Sequence, residues 1–248
     1  MGDVAASEGD HPPLRVFDLA PRRLGKADLV LTEEDLHAAG SVRPGFDPTG
    51  LSLDGAARIA LLLAAFRDES GFAEIIEVVC RTADGPEQVA VYRGLAVYPG
   101  GTLLGARAGE GVRSGIRPVF EAVAHRNPYP GEHLDEAAWN GMVLKALFVG
   151  SALAPIQGLL RRANPDFATA LLDLVDERRS AGRRVSPELW PLVAPFAGAR
   201  ALAALRRALA EGDEAERLAA AEALGASSGA ETASVLTRLG VSETGPRS

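Results

Sequence analysis

The chain has 248 residues, with 26 Lys and Arg against 33 Asp and Glu; the net charge of −7 excludes a global basic field for nucleic acid or anionic membrane. Apolar residues make up 47%, ample for a core, whereas aromatics are 5%, and no basic strand studded with aromatics is present to stack on single-stranded bases. Cys80 is alone, so no internal disulfide can form; this agrees with a reducing cytoplasm, and its place in the apolar run 75–80 reads as a small buried hydrophobe.

Residues 1–13, MGDVAASEGDHPP, are acidic and polar, and read as a disordered lead-in rather than a signal peptide. Helical periodicity dominates from there on, with no convincing strand pair. Thr32 with Asp35 three residues on has the form of a capping box and opens a helix through Ala39 that Gly40 closes. Ser52 opens the next, with Ile59, Leu62, Leu63 and Phe66 at helical spacing. Segments 71–82, 86–95, 103–110 and 115–124 predict four more short helices with Gly and Pro at the joints. Residues 135–149 predict a longer helix, capped from within 133–135.

The window 142–160 approaches the length of a membrane span, but Gly150, Pro155 and Gly158 interrupt it and Lys145 sits inside. A buried helix, a turn and a second short apolar segment fit better, so no transmembrane segment is expected. Asn164 followed by Pro165 pairs an N-cap with proline at the first helical position. That helix presents Phe167, Leu171, Leu172 and Val175 and ends near 181–182; Ser186 and Pro187 repeat the start signal before Trp190, read as a core anchor. Residues 199–239 predict three helices broken at Gly212 and near 225–229, and 241–248 a disordered tail. The fold expected is all-α, an irregular superhelix or bundle of HEAT- or armadillo-like helix pairs without significant sheet. It would form one domain over 14–240, with 199–240 as a C-terminal helical cap.

No Walker loop, GxGxxG after a strand, GxSxG elbow, HExxH or CxxC pair occurs. The glycines at 100–101 and across 105–115 follow no strand and read as turns. Asp173, Asp176 and Glu177 could coordinate Mg²⁺, but read better as solvated helix surface. The densest chemistry lies in 125–164. His125, His133 and Asp135 could form an open zinc site, although their spacing matches no helical metal motif; helix capping by the two histidines is the alternative. Lys145 in its apolar run would be desolvated unless paired with Glu136, Asp173 or Glu177, or with an anionic ligand. Arg161, Arg162, Arg178, Arg183 and Arg184 are the densest basic set, suited to carboxylates or phosphates, or to ion pairs with Asp173, Asp176 and Glu177.

Two long segments, NPYPGEHLDEAAWNGMVLKALFVGS (127–151) and IQGLLRRANPDFATALLDLVDERRSAGRRVSPELWPLV (156–193), resemble the EboA family. PRRLG at 21–25 and VFEAVAHRNPYP at 119–130 extend the likeness across 14–210. The resemblance implies an accessory role in moving or finishing secondary metabolites, alongside a UbiA-like membrane prenyltransferase and several enzyme-like proteins, with no reaction attached to EboA itself. It departs from the family pattern at Leu160, where an acidic residue is usual, and at Leu174, Val175, Asp176, Glu177 and Arg178, where aromatic-Ala-His-Glu-Arg is usual. The matching positions Asn127, Tyr129, Trp139, Asn140, Lys145 and Arg162, with Asn164, Glu177 and Arg178, are the ligand-binding candidates.

Three readings follow. The first is a cytoplasmic binding or adaptor protein for a small metabolite or a pathway enzyme, a membrane prenyltransferase-like protein included, with self-association open. The second is a cofactor- and metal-independent isomerase, cyclase or condensing enzyme using His133 and Glu136 as acid and base beside Lys145. The third is a helical-repeat scaffold without a ligand site. No cofactor and no nucleic-acid partner is expected in any of them.

Overall fold

Polar side chains that accept from otherwise unsatisfied backbone N–H groups set most of the helix starts in this chain. The computed structural model describes residues 12–227, with side chains from Phe17 onward. Among these residues the regular structure is helical: thirteen α-helices, three short 3₁₀ turns and no strand, only the isolated bridges Asp28–Ser52 and His125–Ile156. The all-α expectation holds. No helix among the described residues is long and apolar enough to cross a membrane. The chain divides into two compact units, residues 1–142 with 155–157 and residues 143–154 with 158–248.

The first unit begins with α1 (Pro12–Leu24), a helix not expected from sequence because Pro21 lies inside it and obscures its period. Phe17 and Ala20 are nevertheless buried at a spacing of three. The expected lead-in at 1–13 otherwise lies outside the described residues. α2 (Glu33–Val42) starts with the anticipated capping box: Thr32 Oγ1 accepts from Asp35 N at 3.2 Å, and Thr32 N donates to Asp35 Oδ2 at 2.9 Å. Gly40 does not close it. The helix continues two residues further, and the left-handed glycine comes later, at Gly45 (φ 81°).

Ser52 caps α3 (Leu53–Ala64), Asp68 caps α4 (Glu69–Thr82), and Asp84 with Glu87 forms a second capping box on α5 (Gly85–Gly94). α6 (Gly105–Arg113) follows a 3₁₀ turn over Gly101–Leu104, then come α7 (Arg117–Ala124) and α8 (Tyr129–His133). The helix expected over 103–110 is formed as α6, and the glycines at 105–111, read as turns, lie inside it. A Cβ on Gly111 would sit 2.6 Å from Val123 Cγ2 and 2.7 Å from the Tyr92 ring, so a small residue is what lets this helix approach its neighbours.

α5 packs against both α3 and α7, and α3 in turn packs against α1. Every residue from 90 to 96 is buried, as expected of a helix enclosed on all sides. Phe72, Tyr92, Phe120 and Tyr129 fill the surrounding core, and Phe72 meets Tyr98 edge-on at 5.3 Å. Gly94 admits this arrangement, since a Cβ there would lie 2.1 Å from the Tyr98 ring. The division between units falls within α9 (Glu136–Val149), whose first turn is held by Asp135 Oδ1 accepting from Ala138 N at 2.7 Å.

The expected apolar segment after Gly150 (φ 71°) is a series of turns with Gly158 (φ 84°) inside it, and apart from residues 155–157 it belongs to the second unit. Asn164 Oδ1 accepts from Phe167 N at 2.8 Å to start α10 (Pro165–Ser180), whose Phe167, Leu171, Leu172 and Val175 are buried as anticipated. α11 (Trp190–Val193), α12 (Ala199–Glu211) and α13 (Glu214–Ala226) complete the packing around Trp190, Leu205 and Leu224. Glu188 accepts from Leu153 N at 3.0 Å and Ala154 N at 2.9 Å, within this unit. The third expected C-terminal helix and the tail at 241–248 lie outside the described residues.

Candidate functional site

A lone cation within an enclosed apolar helix calls for a reason, because burying a charge without compensation is costly. Arg93 is such a residue, 8% exposed in the last turn of α5. Its guanidinium donates to three backbone carbonyls: Nη1 to His125 O at 3.1 Å, and Nη2 to Asp47 O at 2.8 Å and Thr49 O at 3.1 Å. It borders a cavity of about 370 Å³ in the first unit. Two more buried polar side chains border the same cavity. Arg58 and Asp54, 3% and 4% exposed, stand one turn apart on α3 and pair at 2.5 Å.

Arg58 also reaches Phe17 O at 3.3 Å and Glu87 Oε1 at 3.4 Å, and its guanidinium lies 5.3 Å from the Phe17 ring centre. Asp54 therefore has one oxygen committed to Arg58, while its buried Oδ1 accepts no hydrogen bond among the described residues. Such a group usually has a partner.

The rim adds Lys26, His125 and Arg126. His125 is the C-cap of α7, its N–H donating to Glu121 O at 2.8 Å. Arg126 is the only non-glycine residue of positive φ among those described, at 50°. It is pinned on both sides, its N–H donating to Pro155 O at 2.8 Å and its Nε lying 3.1 Å from Asp47 Oδ2. Backbone strain held in place by surrounding contacts is characteristic of functional positions. Burial pushes the Asp47 carboxyl up, but hydrogen bonds from Thr49 and the Arg126 and Arg93 charges outweigh it, and the carboxyl is held below its usual range. Arg93 is shifted down, first by burial and then by the like charge of Arg126.

The residues singled out from sequence fall into two groups. In the first unit, Asn127 is 1% exposed and engaged on both sides of its amide: Nδ2 donates to Tyr92 O at 3.1 Å and Ala122 O at 3.3 Å, and Oδ1 accepts from Tyr129 N at 3.1 Å. Tyr129 donates its hydroxyl to Gly101 O at 2.5 Å, and burial pushes that hydroxyl up to about 12. Trp139 is fully buried, Asn140 half-buried. His133 lies against the Tyr129 ring with centroids 4.4 Å apart, its Nε2 3.8 Å from Glu132 Oε2, while Asp135 and Glu136 are exposed at the start of α9. Neither His133 nor Glu136 borders any of the three cavities described in the two units. Among the described residues no group of three His, Cys, Asp or Glu is placed to hold a metal ion, so His125, His133 and Asp135 are not gathered into one.

In the second unit, burial lowers the Lys145 ammonium. Arg178 donates to Leu147 O at 2.9 Å and borders a smaller cavity of about 300 Å³, largely apolar, with Leu174 and Val185. Asn164 is a helix cap, its Oδ1 accepting from Phe167 N, and its Nδ2 donates to Arg162 O at 3.2 Å. Glu177 makes a loose exposed pair with Arg183 at 3.7 Å. Asp173 and Asp176 both bind Arg200, at 2.7 and 2.6 Å, rather than a member of the arginine set expected to meet them.

The residues that border the large cavity most deeply, Arg58, Arg93 and Asp54, were not among the sequence candidates. A signal was present: Arg93 interrupts the apolar run AVYRGLAVY at 90–98, and Asp54 and Arg58 sit four apart in an otherwise apolar helix. Lys145 was singled out by the same reasoning.

The family described as "Metabolite traffic protein EboA" matches residues 5–194. No curated protein and no solved structure matches the chain.

Proposed function

As this chain belongs to the EboA family of metabolite traffic proteins, we propose that it is an accessory binding protein of a secondary-metabolite pathway in the cytoplasm, holding a small metabolite in the cavity of its first unit. One observation carries this reading. A cavity of about 370 Å³ is bordered by Arg58, Arg93 and Asp54, three polar side chains that are each at least nine-tenths buried. That size lies within the range of ligand pockets, which are mostly apolar walls with a few convergent polar groups. A cavity with no ligand to hold would be more stable if it were lined by apolar side chains, because buried charges are costly to desolvate. The acid–base enzyme reading through His133 and Glu136 has no comparable support, since neither residue borders a described cavity.

Native mass spectrometry of the protein purified from its own host tests the proposal. A reproducible excess mass that is lost on denaturation, and is depleted in a folded Arg93→Gln variant, is expected. A wild-type mass equal to the bare chain, or the same excess in the variant, would overturn it.

A further inference from the structure

Resting on the binding role just proposed, we infer that the first-unit cavity is selective for a small organic monoanion, with Arg93 as the anchor of its acidic group and Lys26 as the cation at the rim. The argument begins with charge. The cavity is bordered by Lys26, Arg58, Arg93 and Arg126, and by the carboxylates of Asp54 and Glu121. The groups paired with these belong to the same local balance. Arg58 is neutralised by Asp54 at 2.5 Å and reaches Glu87 at 3.4 Å. Arg126 pairs with Asp47 at 3.1 Å, and Glu121 pairs with Arg117 at 2.7 Å. Five cations thus face four carboxylates, and one positive charge is left in a protein whose net charge is −7.

Two of these cations, Arg93 and Lys26, form no ion pair among the described residues, although the Asp47 carboxylate that pairs with Arg126 also acts on Arg93, and only Arg93 is buried. Three of the five N–H groups of a guanidinium are taken by carbonyls of His125, Asp47 and Thr49; the others have no acceptor among the described residues. Carbonyl dipoles fix the orientation of the side chain, and the only carboxylate acting on it among the described residues, Asp47, is shared with Arg126, so the fork is held rigid and only partly neutralised at the cavity wall. A rigid fork with free donors matches the planar oxygens of a carboxylate, or two oxygens of a phosphate or sulfate monoester. The surplus of a single charge favours a monocarboxylate over a dianion. Leu51, Val89 and Ala90 border the same cavity and offer apolar contact to the remainder of the ligand.

The inference separates from a purely structural role for Arg93, in which the guanidinium only staples the 47–49 loop to the end of α7. A staple gives no preference between a charged ligand and its neutral isostere. Benzoate and benzamide are such a pair, and both are small enough for the cavity. Titrations of the isotope-labelled protein with each, followed by NMR, should show saturable benzoate binding at residues bordering the cavity and benzamide weaker by at least about tenfold, since a charge-assisted hydrogen bond contributes on the order of 1.5 kcal/mol or more. Arg93→Gln should abolish the discrimination. Because that variant also loses three carbonyl partners and could unfold, Lys26→Gln at the exposed rim is the second test: it should fold normally and weaken benzoate without affecting benzamide.

Equal affinity for the two probes, absence of saturable benzoate binding, or discrimination unchanged in folded variants would overturn the inference. Its failure is distinguishable from failure of the binding role. Host-purified protein carrying a neutral or cationic adduct would leave the binding role standing and refute the monoanion. Host-purified protein of bare mass would refute the binding role, and the probe pair would still decide whether the cavity selects anions.

Discussion

Replacing Asn127 by Ala separates a ligand contact from a structural fastening at the position that the family likeness marked most directly. Asn127 is 1% exposed, and its amide makes three hydrogen bonds to backbone groups, of Tyr92, Ala122 and Tyr129. A net contribution of about 1 kcal/mol for each bond gives a loss of about 3 kcal/mol for Asn127→Ala. For a chain of this size that corresponds to a fall of roughly 6–12 °C in Tm. The same change at a residue kept only for a ligand would leave stability within about 0.5 kcal/mol. Asn127→Asp should lose at least as much, because a carboxylate oxygen would then face the Tyr92 and Ala122 carbonyls that now accept from Nδ2. Urea unfolding followed by circular dichroism, with calorimetry for Tm, measures both. A loss below about 1 kcal/mol for the alanine variant, with an unchanged denaturant slope, would refute the assignment and return Asn127 to the ligand-binding candidates.

Three further outcomes follow from the same geometry. Gly94→Ala places a methyl group 2.1 Å from the Tyr98 ring; it should destabilise by about 2–3 kcal/mol, and a double-mutant cycle with Tyr98→Ala should show strong coupling, whereas simple additivity would mean the ring moves aside freely. At position 126, where φ is 50°, glycine should be more stable than alanine by about 1 kcal/mol, and equal urea midpoints for the two variants would contradict a left-handed backbone there. Asp47 is held below its ordinary range by the Thr49 hydrogen bonds and by Arg126 and Arg93, against the pull of burial. Its contribution is therefore whole above about pH 4 and is lost as the pH falls through its lower folded value, so the stability gap between wild type and Asp47→Asn should close on acidification; a gap independent of pH would refute the pairing.

Local sequence was sufficient wherever one short-range interaction decides the outcome. The Thr32–Asp35 capping box, the Ser52 cap and the Asn164–Pro165 start each depend on residues within three positions of one another, and each is formed. The apolar face of α10, with Phe167, Leu171, Leu172 and Val175, follows from the 3.6-residue period alone. Family membership was legible for the same reason, in long contiguous segments.

Tertiary structure decided what depends on residues far apart in sequence. That Gly111 must be small within α6 depended on how closely Val123 and Tyr92 approach it. Whether Asn127 is free for a ligand depended on carbonyls at Tyr92 and Ala122. The cavity brings together Lys26, Asp54 with Arg58, Arg93 and Arg126 from four separate places in the chain. Sequence showed a charge in an apolar run at Arg93, and could not say that it meets a cavity and a set of carbonyls. Burial and electrostatic balance are sums over neighbours brought together by folding, and no local pattern encodes them.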